Sequence, residues 1–245
     1  MGSWTADLPS LVSPWFRAFM TQSLFIVIPA FNEGGVIATA VKDALSQTPT
    51  VIVVDDGSVD NTALAAHSSG AWVLRHPVNL GQGAALQTGI DFAIQQGASH
   101  VATFDADGQH DARDIQLMIE QMAHRGVDVI LGSRFLGSSI NMSTHRRWLL
   151  MCATLFTRIT TGLRLTDTHN GLRLFSREAA TKIRICQNRM AHASEILSEI
   201  ARLGISYAEA PVTIRYTEYS RTKGQQSARG SLRIIKDLLI GALSR

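Results

Sequence analysis

The chain alternates short, nearly continuous apolar runs with longer stretches in which apolar residues return every three or four positions. Leu24-Phe25-Ile26-Val27-Ile28-Pro29 and Val51-Ile52-Val53-Val54 have strand length and no polar side to offer water, the pattern of parallel strands covered on both faces. Ala71 to Arg75, Val101 to Phe104 and Val127 to Leu131 continue the series. Between these runs the spacing predicts helices from near Asn32 to about Leu45, after Asp60-Asn61-Thr62, from Gly81 to about Gln95, and from Ala112 to His124. Five strands alternating with helices imply an α/β fold: a mostly parallel sheet with right-handed crossovers and helices on both faces. Strands one, two and four each run into a polar, glycine-containing loop. In such sheets these loops meet at the carboxyl edge, where ligands bind.

After Gly132-Ser133-Arg134-Phe135 the pattern changes. Thr144 to about Thr161 has helical spacing, with Trp148, Met151, Leu155 and Ile159 on one side. A short strand, Leu172 to Phe175, precedes helices at Arg177 to Arg184 and Ala191 to Leu203, and a strand follows from Ser206 to Tyr216. Then come a polar run, Thr217 to Gly230, and an amphipathic helix from Ser231 to about Leu243. The expected organisation is a leader over 1–23, carrying Trp4, Trp15, Phe16 and Phe19, and a main domain over 24–220. That domain divides into halves 24–134 and 135–220, and a lid with a terminal helix occupies 221–245.

Composition adds a core and an asymmetry. With 245 residues, 45% of them hydrophobic, the chain can bury a substantial interior. The net charge of +3 conceals −7 over residues 1–125 (12 acidic, 5 basic) and +10 over 126–245 (8 acidic, 18 basic). The basic half is expected to face phosphates or an anionic membrane surface, with a merely solvated basic face as the alternative; no nucleic-acid partner is expected. Cys152 and Cys186 lack metal-ligand spacing and read as buried or half-buried thiols in a reducing compartment. No run reaches the roughly 18 uninterrupted apolar residues of a membrane span, and the first 23 residues lack a charged region followed by an apolar one. Trp148, Leu149 and Phe156, flanked by Arg146, Arg147, Arg158 and Arg164, have the composition of a helix lying in a headgroup layer. A core helix has the same spacing. Peripheral attachment to the cytoplasmic face of a membrane is expected.

The candidate chemistry centres on Asp105-Ala106-Asp107-Gly108-Gln109. Two carboxylates at a strand end suit a divalent metal carrying phosphates, Mg2+ or Mn2+, because such ions are usually bound by one or two carboxylates plus phosphate oxygens. A surface turn is the plain alternative. Gly81-Gln82-Gly83 is short of the dinucleotide fingerprint, since Leu86 stands where the third glycine belongs, and no Gly-Lys-Ser/Thr phosphate loop is present. Asp55-Asp56 exceeds what capping a helix needs, leaving one acid for the N–H of a uracil-like base.

The order Ile28-Pro29-Ala30-Phe31-Asn32-Glu33, Val53-Val54-Asp55-Asp56-Gly57-Ser58, Asn79-Leu80-Gly81-Gln82-Gly83, Asp105-Ala106-Asp107-Gly108-Gln109 and Gly132-Ser133-Arg134 resembles family 2 glycosyltransferases of the GT-A fold. Among these it is most similar to the polyprenyl-phosphate sugar synthases, over about residues 24 to 220. The resemblance implies an inverting, metal-dependent transfer from a nucleotide-sugar donor, UDP-sugar favoured. It places Pro29, Ala30, Asn32, Glu33, Asp55, Gly81, Gln82 and Gly83 around the nucleoside, with Asp105 and Ala106 beside it. Asp105, Asp107 and Gln109 fall at the metal, Arg134 and Arg173 near donor or acceptor phosphates, and Arg221 and Lys223 in a lid over the diphosphate. A lipid phosphate acceptor needs little base catalysis. A hydroxyl of a lipid-linked or polysaccharide acceptor needs a general base, for which Asp167 and Glu195 are the candidates. A non-catalytic nucleotide-sugar-binding protein is the rival from another class.

Overall fold

A computed structural model of the chain describes residues 23–187, 191–216 and 219. The expected leader, the lid residues Arg221 and Lys223, and the terminal helix lie outside the described residues. Seven strands form one sheet: β1 (Leu24–Ala30), β2 (Val51–Asp55), β3 (Trp72–Arg75), β4 (His100–Thr103), β5 (Val129–Ile140), β6 (Arg173–Ser176) and β7 (Tyr207–Arg215). Their order is β3-β2-β1-β4-β6-β5-β7. Only β6 runs against its neighbours, pairing antiparallel with both β4 and β5, while the other pairs are parallel. The fifth strand expected from the sequence therefore does not lie beside the fourth. A reversed strand is inserted between them.

The continuous apolar character of the inner strands has the expected cause. Alternate residues point to opposite faces, so Ile26 and Ile28 enter one core with α1 (Ile37–Leu45) and α4 (Asp114–Arg125), while Phe25 and Val27 enter a second. This second core lies against α3 (Gln82–Gln95), α6 (Arg177–Lys182) and α7 (His192–Leu203). Two further helices complete the chain order, α2 (Thr62–Ser68) and the 18-residue α5 (Thr144–Thr161). Pro29 is tolerated in this central strand because odd residues of β1 bond toward β4, where Phe104 N donates to Val27 O at 2.9 Å. β4 has ended by the level of Pro29, so its missing N–H costs no ladder bond.

Two boundaries and the burial of both cysteines differ from expectation. α1 begins at Ile37, not near Asn32, because Asn32 takes a left-handed φ of 55° and its loop is bonded elsewhere. β5 runs to Ile140, with an irregular register against β7 between Ser133 and Ser138, because its polar and glycine-rich second half pairs through backbone. Cys152 and Cys186, expected at least half-buried, are both exposed.

α5 is turned inside out. Thr154 and Thr157 are its buried residues, whereas Trp148, Leu149, Met151, Leu155, Phe156 and Ile159 are exposed. On the inner side Thr154 Oγ1 lies 3.4 Å from Thr168 Oγ1, while Thr157 Oγ1 donates to Ala153 O of the helix itself at 3.0 Å. Its apolar spacing is therefore not that of a core helix.

Candidate active site

The loops after β1, β2 and β4 meet at one edge, as the strand pattern requires. The first two are laced together: Asn32 N donates to Ser58 Oγ at 2.9 Å, Glu33 N to Thr62 Oγ1 at 2.8 Å, and Val59 N to Asn32 Oδ1 at 3.0 Å. Glu33 is buried, and Tyr219 Oη donates to its Oε2 at 2.5 Å. Asp55 and Asp56 take different partners, and neither caps a helix. Asp56 accepts from Leu80 N at 2.9 Å and Gly81 N at 2.7 Å, and its Oδ1 lies 2.7 Å from His76 Nδ1. It thereby fixes the glycine loop to β2. Asp55 is fully buried and turns the next loop, accepting from Ser58 N at 3.0 Å. Its Oδ2 is 3.1 Å from Arg75 Nε, but out of line for a hydrogen bond, so this buried oxygen has charge compensation without a donor.

Gly81 takes φ 100°, which glycine adopts readily, and starts α3 so that Gln82 points at the acidic pair. Gln82 Nε2 donates to Asp105 Oδ1 at 3.3 Å. Gly83 serves packing: a Cβ there would sit 2.0 Å from Gln187 O. That segment is in turn held by Glu195, whose Oε2 accepts from Cys186 N at 3.0 Å and Gln187 N at 2.8 Å.

Asp105 and Asp107 follow β4 directly. His110 Nε2 stands 2.9 Å from Asp105 Oδ2, a bonded histidine, while the Asp105 side chain keeps 31% of its surface open to the cleft. Burial pushes the Asp105 carboxyl up, but the hydrogen bond with His110 and the charges of His110, His192 and Arg173 outweigh it and leave it lowered. Asp107 is pushed up, first by burial and then by the charge on Asp105. Gln109 donates to Asp107 from its side-chain amide and, at 3.1 Å, from its backbone N–H. The charge on Asp105 disfavours that on Asp107, a repulsion that a divalent cation relieves, so the residues fit Mg2+ or Mn2+. Among the described residues no three His, Cys, Asp or Glu side chains converge, so a cation held here would draw its other ligands from diphosphate and water.

The reversed strand brings the second half to the same edge. Because β6 is antiparallel, its first residue pairs with the last of β4, Arg173 with Thr103, and the preceding loop arrives at the acidic pair. Thr103 Oγ1 donates to Gly171 O at 2.6 Å, and a Cβ on Gly171 would lie 2.1 Å from Asp105 Oδ2. Arg173 is buried and its Nη2 makes one long bond, 3.3 Å, to Ala193 O. Burial draws its pKa down to about 10 against the pull of Asp105 and Asp167. Arg134 and Asp167, by contrast, are spent on each other. Arg134 Nε and N donate to Asp167 Oδ2 at 2.6 and 3.1 Å, Nη1 to Tyr216 Oη at 2.6 Å, and Nη2 to His169 O at 2.8 Å.

The structure thus gathers Gln82, Asp105, Asp107, Gln109 and Arg173 at one place, with Asn32, Glu33 and Asp55 in the adjoining loops. Arg134 and Asp167 form a buried brace behind it, and Glu195 holds a backbone segment beside it. Sequence reasoning gave no individual role to Gly171, Tyr219 or Arg75. The contact of Gly171 with Asp105 crosses 66 positions of chain and leaves no mark on local spacing. The family model for glycosyl transferase family 2 matches residues 25–184.

The chain belongs to that family.

The transferase is 35% identical to an uncharacterized protein of Methanocaldococcus jannaschii, over 85% of this chain and 88% of that one. It is 29% identical to a UDP-N-acetylglucosamine–dolichyl-phosphate N-acetylglucosaminyltransferase of Methanococcus voltae, over 82% and 89%. To the polyprenol monophosphomannose synthase of Mycolicibacterium smegmatis it is 28% identical, over 83% and 81%. Among solved structures, glucosyl-3-phosphoglycerate synthase of Mycobacterium tuberculosis, crystallised with Mn2+ and UDP-glucose, superposes with a TM-score of 0.64 at 22% identity. That match covers 86% of this chain and 77% of the other. The fold is GT-A.

Proposed function

We propose that this glycosyltransferase moves a sugar from a nucleotide-sugar donor, a UDP-sugar by preference, to the phosphate of a polyprenyl carrier at a membrane surface. One observation carries the choice of acceptor. Beside Asp105 stands Arg173, a buried cation with no ion-pair partner among the described residues, while both carboxylates that could act as a base are engaged, Asp167 by Arg134 and Glu195 by backbone N–H groups. A hydroxyl acceptor requires a base. A phosphate oxygen is already a nucleophile and requires only that its repulsion with the donor diphosphate be offset, which Arg173 supplies. The relatives named as dolichyl-phosphate and polyprenol transferases support the same acceptor class.

In this reading Asp55 offers its donorless Oδ2 to the imino N–H of uracil, and Ala30, Asn32, Glu33 and the Gly81 loop frame the nucleoside. Asp105 and Asp107, with Gln109, hold Mg2+ or Mn2+, which when bound neutralises the diphosphate. The acceptor oxygen attacks the anomeric carbon opposite the leaving group, the bond from that carbon to the diphosphate oxygen breaks, and configuration inverts. Charge then collects on the departing diphosphate, where Arg173 stabilises it electrostatically. Arg134, braced by Asp167 and Tyr216, keeps the 166–171 loop in place beneath the acceptor. The test is incubation of radiolabelled UDP-sugars with polyprenyl phosphate and Mn2+, followed by mild acid. An acid-labile lipid product is expected; an acid-stable glycoside would assign a hydroxyl acceptor, and no product with any donor would refute the reading.

A further inference from the structure

The stretch from 129 to 166 contains no Asp or Glu, yet it contains Arg134, Arg146, Arg147, Arg158 and Arg164. Within it the chain also exposes a concentrated set of large apolar side chains. Trp148 is 64% exposed, Leu155 58% and Ile159 74%, and Leu149, Met151 and Phe156 share the outer side of α5. Leu136 and Ile140 of β5 are exposed as well. Water does not favour an apolar stripe on this scale on a free surface, and a contiguous exposed patch marks an interaction face. The helix is about 27 Å long at 1.5 Å per residue, and no described helix is long and apolar enough to cross a membrane.

We infer that the outer face of α5 is the seat of this protein on an anionic bilayer, lying in the headgroup layer with Trp148, Leu155 and Ile159 dipped toward the acyl chains. Charge decides for lipid over a second copy of the chain. Arg147, Arg158 and Arg164 are exposed around the stripe and form no ion pair among the described residues. A two-fold contact through this face would bring the same unpaired cations together with no acid in the stretch to meet them. Anionic headgroups supply the missing charge, since their negative surface potential attracts basic side chains held near it.

The seat is also wired to the site, and this part rests on the proposed lipid acceptor. Arg146 of α5 lies over the ring of Tyr216, 4.8 Å from its centroid, and Tyr216 Oη accepts from Arg134, which holds Asp167. Thr154 meets Thr168 on the same loop. A bilayer bound at α5 therefore lies at a fixed height relative to the 166–171 loop and Asp105, so that a lipid-borne phosphate enters from the membrane side.

The experiment needs no acceptor and no turnover. The full chain is mixed with vesicles of phosphatidylcholine alone, or of phosphatidylcholine with phosphatidylglycerol, with and without brominated acyl chains, and bound protein is measured by flotation. Binding to the mixed vesicles is expected, with quenching of tryptophan emission that disappears in Trp148→Phe. Leu155→Ser with Ile159→Ser should weaken binding about tenfold or more. Arg147→Glu with Arg158→Glu should abolish the preference for phosphatidylglycerol. All five positions are exposed, so circular dichroism should stay that of the wild type. Wild-type binding by the serine variant, or a dimer in equilibrium sedimentation that this variant dissolves while vesicles remain unbound, would overturn the inference. Vesicle binding without transfer to polyprenyl phosphate would instead leave the seat standing and refute the acceptor.

Discussion

Gly171→Ala tests whether the acceptor loop and the acidic pair form one site. The added Cβ would stand 2.1 Å from Asp105 Oδ2, 2.7 Å from its Cγ and 2.8 Å from Oδ1, where ordinary contact begins at 3.4 Å. Something must yield by about 1 Å. Backbone on the glycine side is held by Thr103 Oγ1 bonding Gly171 O at 2.6 Å, so the carboxylate is the part that moves, away from His110 and Gln82. Overpacking costs about 1–3 kcal/mol, and because a short side chain can swing aside the lower end applies. A loss of about 1–2 kcal/mol lowers the melting temperature by about 2–8 °C in a chain of this size. A metal-binding carboxylate displaced by 1 Å, however, costs about a hundredfold in rate. The assay is sugar transfer at saturating donor across a manganese titration, alongside thermal unfolding. The expected result is a folded variant, about a hundredfold slower, requiring more manganese. A wild-type rate at an unchanged manganese requirement would refute the geometry argued here.

Other perturbations separate the brace from the site. Arg134→Met leaves Asp167 as an uncompensated buried charge and should destabilise by about 3–5 kcal/mol in urea unfolding. Arg173→Gln removes a buried cation with one long hydrogen bond. It should slow transfer by about 10²–10³-fold while leaving the melting temperature close to the wild-type value. Chelation should abolish transfer, with Mn2+ restoring it in the wild type but not in Asp105→Asn or Asp107→Asn. Hydrogen bonds from Arg113, with the charges of Arg113 and Arg215, hold Asp111 at about 2, below its ordinary 3.8. The stability it adds is therefore full above its ordinary value and lost as pH falls from there toward the folded one. Allowing for the exposed arginines, Asp111→Asn should cost about 1 kcal/mol at neutral pH and nothing at the acid limit, read from urea unfolding at both.

The sequence carried the first half of the architecture because buried parallel strands advertise themselves. Leu24–Ala30 and Val51–Asp55 are buried throughout, and their alternation into two cores demands apolar residues at every position. The position of Asp105 and Asp107 at a strand end was legible for the same reason. The reversal of β6 was not, since four residues read equally well in either direction. Nor was the length of β5, whose Ser and Gly residues carry no apolar signal of a strand. Periodicity gave α5 an apolar face but not the direction in which it points; only the packing of Thr154 and Thr157 inward settles that. The bond between Arg134 and Asp167 spans 33 positions, and no local pattern joins them. The partners of Asp167 and Glu195 were out of reach as well, because a carboxylate's contacts are invisible in one dimension.

The backward course of β6 has a consequence for how such an enzyme can change. The chain departs the sheet at the rim where β5 ends and re-enters at that same rim where β6 begins, so the excursion from 141 to 172 is a closed detour. Its length is free of any strand register. A lineage could lengthen or shorten the outer part of that detour, α5 included, while the seven strands and the loops after β1, β2 and β4 keep their places.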